Sequence, residues 1–216
     1  MVTQDRYSRQ ADIVPSDKLA SCRCAVIGVG AIGRQVALQL AAMGAPWLQL
    51  VDHDIVEETN IVTQGYAERD SGRLKVDATA ADCERLHPGD WRIITAPKRY
   101  QRSVDYGNTL FCCVDSIDTR RLIFETRRGA LFIDGRMSAE SLRILTVHNE
   151  ASATHYATTL FPASEAHVGA CTAKATIYCA NVAAGLMLAQ FTKWLRRLPI
   201  ESDVGLNLLT MELAIG

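Results

Sequence analysis

The chain has 216 residues, of which 48% are hydrophobic and 22% charged. That is enough apolar material for a packed core and excludes a disordered chain. Lys and Arg total 23 against 24 Asp and Glu, a net charge of −1, so there is no basic surplus of the kind that marks a nucleic-acid-binding protein, and no nucleic-acid partner is expected.

The opening MVTQDRYSRQ is charged and lacks the apolar core of a signal peptide. The longest apolar-rich stretch, residues 180–188, is broken by Asn181 and is short of the roughly 20 residues that span a bilayer. No membrane association is expected. Seven cysteines, an odd number, fall at 22, 24, 83, 112, 113, 171 and 179 and read as reduced thiols of a cytoplasmic protein. No C-x-x-C pair is present, so no zinc is expected.

In chain order, residues 24–27 read as a buried strand followed by a glycine-rich turn. Residues 32–43 follow at helical spacing and end at Gly44. Residues 47–51 make a second strand, and residues 73–86 an amphipathic helix stopped near Pro88-Gly89. Strands are expected at 91–95 and 109–113, a polar helix at 118–126 and a strand at 131–134. This alternation predicts an α/β fold with a Rossmann-like, doubly wound, mostly parallel sheet. Beyond Asp134 the rhythm changes: 142–147 and 157–161 read as strands, 162–169 as a loop, 176–195 as a long apolar helix ending in Arg196-Arg197, and 206–215 as strand-like. The expected architecture is one unit over residues 1–216. About 1–136 form its nucleotide-binding half, and 137–216 a smaller mixed or antiparallel extension.

Gly28-Val-Gly30-Ala-Ile-Gly33 follows a strand and opens a helix, the context in which backbone N–H groups approach phosphate oxygens. Asp52 ends the next strand, where an acid binds ribose hydroxyls. A nicotinamide cofactor is the first reading of such a fingerprint. The residues that follow suit hydride transfer poorly: Asp52-His-Asp54-Ile-Val-Glu57-Glu-Thr-Asn60, then Gly72-Arg-Leu-Lys75, then Asp115-Ser-Ile-Asp118-Thr-Arg120. A lysine opening a helix beside the turn can neutralise phosphates, and an acid after a strand can hold Mg²⁺. The set suits ATP handled by its phosphates.

These blocks resemble the ThiF/MoeB/HesA family of adenylating enzymes, related to the ubiquitin-activating enzymes, from Arg6 to about Leu195. Arg6-Tyr-Ser-Arg9-Gln10 is similar to the family's opening R-Y-x-R-Q. The glycine turn, the D-x-D-x-V-x-x-x-N block at Asp52, Asp54 and Asn60, Gly72-x-x-Lys75, and Asp115 through Arg120 follow in order. The resemblance implies an adenylyltransferase that joins ATP to the C-terminal glycine of a ubiquitin-like or sulfur-carrier protein ending in Gly-Gly. Carried over, Asp52 holds the ribose, Lys75 the phosphates and Asp115 the Mg²⁺, with Asn60 beside the phosphates. Arg9 reaches the γ-phosphate from the neighbouring subunit of a homodimer. The nucleotide site comprises Gly28, Gly30, Gly33, Asp52, Asp54, Asn60, Gln64 and Lys75.

Three departures matter. Where the family reads N-x-x-R-Q, this chain has Asn60-Ile-Val-Thr63-Gln64. The phosphate-contacting arginine is missing, and Arg34, directly after Gly33, either replaces its charge or turns to solvent. The family's C-x-x-C before L-F-P is Tyr156-Ala-Thr-Thr159 here, in keeping with no zinc. Arg136, in Asp134-Gly-Arg136-Met137, stands where relatives carry small residues; it either pairs with Asp134 or Glu140 or meets the incoming carrier tail. Cys171-Thr172 follows a loop with Glu165, His167 and Gly169, and in the family this crossover loop can carry a cysteine that forms a covalent carrier intermediate. A thiol near a helix N-terminus is readily ionised, so Cys171 is a candidate nucleophile, whereas the other six cysteines read as core or surface thiols. The competing readings are a degenerate nucleotide-binding scaffold, a tRNA-modifying adenylating enzyme and an NAD-dependent oxidoreductase.

Overall fold

The computed structural model describes residues 6–87, 91–161 and 175–216. The expected Pro88-Gly89 stop, the 162–169 loop and Cys171 lie outside them. The elements in order are α1 (Ser16–Leu19), β1 (Cys24–Ile27), α2 (Ala31–Met43), β2 (Trp47–Val51), α3 (Glu58–Gln64), α4 (Lys75–Leu86), β3 (Arg92–Ala96), β4 (Thr109–Cys112), α5 (Ile117–Thr126), β5 (Leu131–Ser138), β6 (Ser141–Val147), α6 (Glu150–Thr158), α7 (Ile177–Arg196), β7 (Asp203–Asn207) and β8 (Glu212–Ile215). Two single 3-10 turns, Ser8–Gln10 and Glu68–Asp70, complete the described set.

All eight strands join one sheet in the order β3-β2-β1-β4-β5-β6-β7-β8. From β3 through β5 the neighbours are parallel, and from β5 onward they are antiparallel. This is the expected Rossmann-like sheet with its antiparallel extension. The apolar run Cys24-Ala-Val-Ile27 is buried on both faces because helices cover both. Cys24 and Val26 join the core under α2, α4 and α7, while Ala25 and Ile27 join the core under α5 and α6. Strand order reverses between β1 and β4, which opens a crevice at their carboxyl ends.

Local chemistry fixes the helix ends. Gly44 closes α2 in the left-handed region at φ +90°, and the same glycine admits the Tyr7 ring, which a Cβ would meet at 2.7 Å. Ser116 caps α5 by accepting from Thr119 N at 3.3 Å. The expected strand at 157–161 is instead the end of α6 and its exit. Asn149 Oδ1 accepts from Ser152 N at 2.8 Å and starts a capped helix. Tyr156 on α6 packs on Phe124 and Phe132, and the helix ends at Thr158, leaving Leu160 and Phe161 in the exit segment. The strand-like tail resolves into the hairpin β7–β8, turned by Asn207 Oδ1 accepting from Leu209 N.

Candidate active site

The crevice at the β1/β4 switch point is a cleft of about 480 Å³. Main-chain bonds between neighbouring strand ends set its floor: Gly28 N to Val51 O at 2.8 Å, Cys113 N to Ile27 O at 2.8 Å and Asp52 N to Ala96 O at 3.2 Å. The glycine turn lies above. Gly28 has φ +86°, and a Cβ there would meet the Cys113 carbonyl at 2.8 Å. At Gly33 a Cβ would sit 1.8 Å from Gly28 O, so helix and turn touch backbone to backbone. Gly30 differs: its Cβ would have only Gln64 Oε1 near, at 3.9 Å. The first and third glycines serve the fold, and the second faces open cleft.

Asp52 braces the turn. Its Oδ2 accepts from Val29 N at 2.6 Å and its Oδ1 from Asp54 N at 2.9 Å, while Tyr66 Oη donates to Val29 O at 2.7 Å. Val29 is thereby held through both its N–H and its carbonyl. Lys75 is the first residue of α4 and is buried, with Nζ 3.2 Å from Asp54 Oδ2. Asp54 is half exposed and also has His53 Nε2 at 3.4 Å. Asp115 is exposed at the cleft just beyond β4. Gln64 Oε1 is buried with no hydrogen-bond partner and faces the glycine turn. Among the described residues, Asp52, His53 and Asp54 form the one group of three potential metal ligands close enough to share an ion.

Gly28, Gly30, Asp52, Asp54, Gln64, Lys75 and Asp115 all line the cleft, and Gly33 supports it from beneath. Asn60 does not line it; its Oδ1 accepts from Glu57 N at 3.1 Å within the α3 cap. Arg9 does not line it either. Gln10 Nε2 donates to Met43 O at 2.7 Å and Arg6 to Leu86 O at 3.2 Å, anchoring the segment while Arg9 stays exposed. Arg34 neither replaces the missing arginine nor turns to solvent. It is buried, donates to Gly65 O at 2.8 Å and pairs with Asp82 at 2.5 Å, so its charge is consumed in tying α3 to α2 and α4. Thr63 Oγ1 folds back onto Thr59 O.

Sequence reasoning missed several contributors. Lys98, Arg99 and Tyr100 line the cleft from the loop after β3, and Thr119 from α5. The signal was position alone: residues beyond the carboxyl end of a parallel strand next to the one that ends at Asp52. Arg136 resolves toward Asp134, with Nε 2.8 Å from Asp134 Oδ2. Asp134 is fully buried and also receives Arg120 and Tyr156 Oη, the latter at 3.0 Å. All six described cysteines are free, and burial raises every one of their thiols, Cys112 to about 11 and Cys113 to about 12. Their thiolates are scarce at neutral pH, in keeping with core roles.

The profile of the ThiF family matches residues 7–212. Among curated proteins, the chain is 34% identical over 149 residues to an adenylyltransferase and sulfurtransferase, uba4, of Aspergillus niger, covering 64% of this chain and 30% of that one. It is 31% identical over 159 residues to the adenylyltransferase and sulfurtransferase MOCS3 of Mus musculus, covering 64% and 32%. The chain thus spans about a third of the length of these relatives. Among solved structures, Escherichia coli MccB with ATP aligns at TM-score 0.76 and 17% identity over 99% of this chain and 71% of that one. PaaA aligns at TM-score 0.76 and 20% identity, covering 98% and 72%. These structural likenesses concern the fold.

Proposed function

The chain belongs to the ThiF family, and we propose that it adenylates the C-terminal glycine of a small ubiquitin-fold or sulfur-carrier protein, using ATP and Mg²⁺. The observation that carries this reading is the convergence in one cleft of an open glycine turn, a braced ribose acid, a buried lysine and an exposed strand-end carboxylate. The names of the uba4 and MOCS3 relatives, and an MccB structure solved with ATP, support it.

In this reading the ribose hydroxyls take the lone pairs that Asp52 does not commit to Val29 and Asp54. The phosphates lie along the turn at Gly30, where no side chain intrudes, and the neighbouring Gln64 amide turns its Nε2 donors toward them. Lys75 Nζ has donors beyond the one used by Asp54 and directs them at phosphate oxygens. Asp115 and Asp54 are the exposed carboxylates at the mouth, Asp54 shared with Lys75 and His53, a hard-oxygen set that fits Mg²⁺. When bound there, the ion offsets phosphate charge so that a second anion can approach. The carrier's terminal carboxylate oxygen bonds to the α-phosphorus, the bond from that phosphorus to the β-bridging oxygen breaks, and pyrophosphate leaves. Alignment of the two reactants supplies much of the rate gain.

Residues 137–216 hold the carrier in this scheme. Arg9, anchored by its neighbours with its own side chain outward, reaches the γ-phosphate of a second copy in a homodimer. Cys171 then attacks the acyl carbon, AMP departs and a thioester remains. The test is ATP–pyrophosphate exchange: it appears with a carrier ending in Gly-Gly and disappears when the terminal glycines are deleted. A second reading, a nucleotide-binding scaffold for an active partner, draws on Thr63 and on the commitment of Arg34 to Asp82. It is favoured if ATP binds while exchange stays at background with every carrier.

A further inference from the structure

Helices α2 and α7 pack against each other on one face of the sheet, and both begin beside the cleft. α2 opens at the glycine turn. A Cβ at Gly65 would lie 2.8 Å from Ile177 Cδ1, at the start of α7, and 3.2 Å from Gln35 Nε2 of α2. The outer sides of the two helices carry no charge. Arg34, the one ionised residue of α2, is buried against Asp82, and α7 has none before Lys193. Tyr178, Asn181 and Ala189 are exposed, with Val182, Gly185 and Leu186 half-buried among them. A helix on a free surface turns charged and polar residues to water; this one is apolar on both sides. Gly185 is a second, separate sign. It sits inside α7 without positive φ, where glycine weakens a helix relative to alanine, and a Cβ there would meet nothing within 4 Å. Nothing among the described residues requires glycine at that position, whereas close approach by a body from outside would.

We infer that the outer face of α2 and α7 seats a second copy of the chain, about a two-fold axis that crosses the helices near Gly185. The inference rests on the reading of Arg9 as acting at the γ-phosphate of a second copy, and it assigns where the copies meet. Arg9 is held at the far end of α2: Gln10 Nε2 donates to Met43 O at 2.7 Å, and the Tyr7 ring lies against Gly44. The 13 residues of α2 put about 20 Å between that end and Gly30, more than an arginine side chain spans. An axis lying in the contact plane and running across the helices reverses their direction. It keeps α2 over α2 and α7 over α7, and it sets the Gly44 end of one copy, with Arg9, over the Gly30 end of the other. An axis along the helices would instead leave Arg9 over the wrong end. A two-fold contact is self-complementary, so the uncharged face meets an uncharged face.

The experiment measures molar mass by light scattering and activity by ATP–pyrophosphate exchange with a Gly-Gly carrier. Wild type is expected at twice the mass of the chain. Gly185→Glu meets no atom of its own chain and improves the helix, but it sets two carboxylates face to face at the axis. Its mass is expected to halve and its exchange to fall to the level of Arg9→Ala, with adenosine affinity unchanged. Thr210→Glu adds the same charge at the exposed β7–β8 turn and is expected to keep mass and exchange. Should Gly185→Glu not melt cooperatively, Ala189→Arg, at an exposed position, takes its place. For the orientation, Asn181→Cys and Ala189→Cys proteins are mixed and oxidised. The mixture is expected to give a reducible dimer that neither protein gives alone. A wild type at single mass, or Gly185→Glu at the wild-type mass, overturns the inference, and cross-linking as strong in each protein alone overturns the antiparallel seating. If the mass halves while Arg9→Ala keeps full exchange, the role given to Arg9 fails and the interface stands. Absence of exchange in wild type rejects the adenylation reading, and the masses still decide the interface.

Discussion

Substituting Gly30 and Gly33 separately divides nucleotide binding from folding, because alanine meets different surroundings at each. At Gly33 the new methyl would lie 1.8 Å from Gly28 O and 3.1 Å from Cys113 Cβ. The obstacle is backbone, so the turn has to move away from α2. Overpacking of this kind costs about 3 kcal/mol, which for a chain of this size lowers Tm by roughly 6–12 °C. At Gly30 the methyl meets no protein atom closer than Gln64 Oε1 at 3.9 Å, and φ is −83°. Alanine there changes stability by about 1 kcal/mol at most, since the loss of unfolded-chain freedom acts in its favour. Its methyl occupies the place proposed for phosphate, so ATP affinity falls by about 100-fold or more, the worth of two or so charge-assisted hydrogen bonds. Thermal melting and calorimetric titration with ATP read the two effects. A Gly30→Ala protein that melts like wild type and binds ATP with an unchanged Kd would refute the placement of phosphate at this turn.

Lys75→Met should abolish exchange and weaken ATP more than adenosine, measured by paired titrations, if the buried ammonium contacts the phosphates as proposed. Mixing Arg9→Ala with Asp115→Ala protein should recover part of the exchange that each lacks alone, since one hybrid cleft then has both groups; no recovery places Arg9 in its own protomer's reaction or outside it. Cys171→Ala should leave exchange intact and eliminate the carrier adduct seen by non-reducing electrophoresis. Asp203 is held below the usual carboxylate range chiefly by the Arg143 hydrogen bonds, against a desolvation penalty, with His155 adding to the effect. A depressed pKa contributes stability that is present above the unfolded-state value, about 3.9, and is lost as pH falls through the lower folded value. The Tm gap between wild type and Asp203→Asn should therefore be full at pH 7 and close progressively below about pH 4.

The strands and the glycine turn were legible because their signals are local. Cys24-Ala-Val-Ile27 is a continuous apolar run, and Gly28, Gly30 and Gly33 follow it at fixed spacing. What escaped depends on contacts between distant segments. Helix α6 was hidden because its residues 150–158 carry no clear apolar periodicity, and the Asn149–Ser152 cap is what shows where a helix begins. The fate of Arg34 rested on Asp82, 48 positions away, and no periodicity announces that pairing. Lys98, Arg99 and Tyr100 reach the cleft because β3 lies beside β2, a topological fact. Asn60 shows the opposite limit, since its motif position suggests phosphate while its side chain caps α3. Arg136 was narrowed to two options by sequence and resolved by the burial of Asp134.

The central claim is that a carboxylate oxygen of the carrier bonds to the α-phosphorus of ATP. A carrier whose terminal carboxylate is labelled with oxygen-18 tests it when the acyl group is trapped with a thiol and the released AMP is weighed by mass spectrometry. Attack at the α-phosphorus predicts AMP heavier by one labelled oxygen, with unlabelled pyrophosphate. Unlabelled AMP, or ADP accompanied by labelled phosphate, would contradict the account.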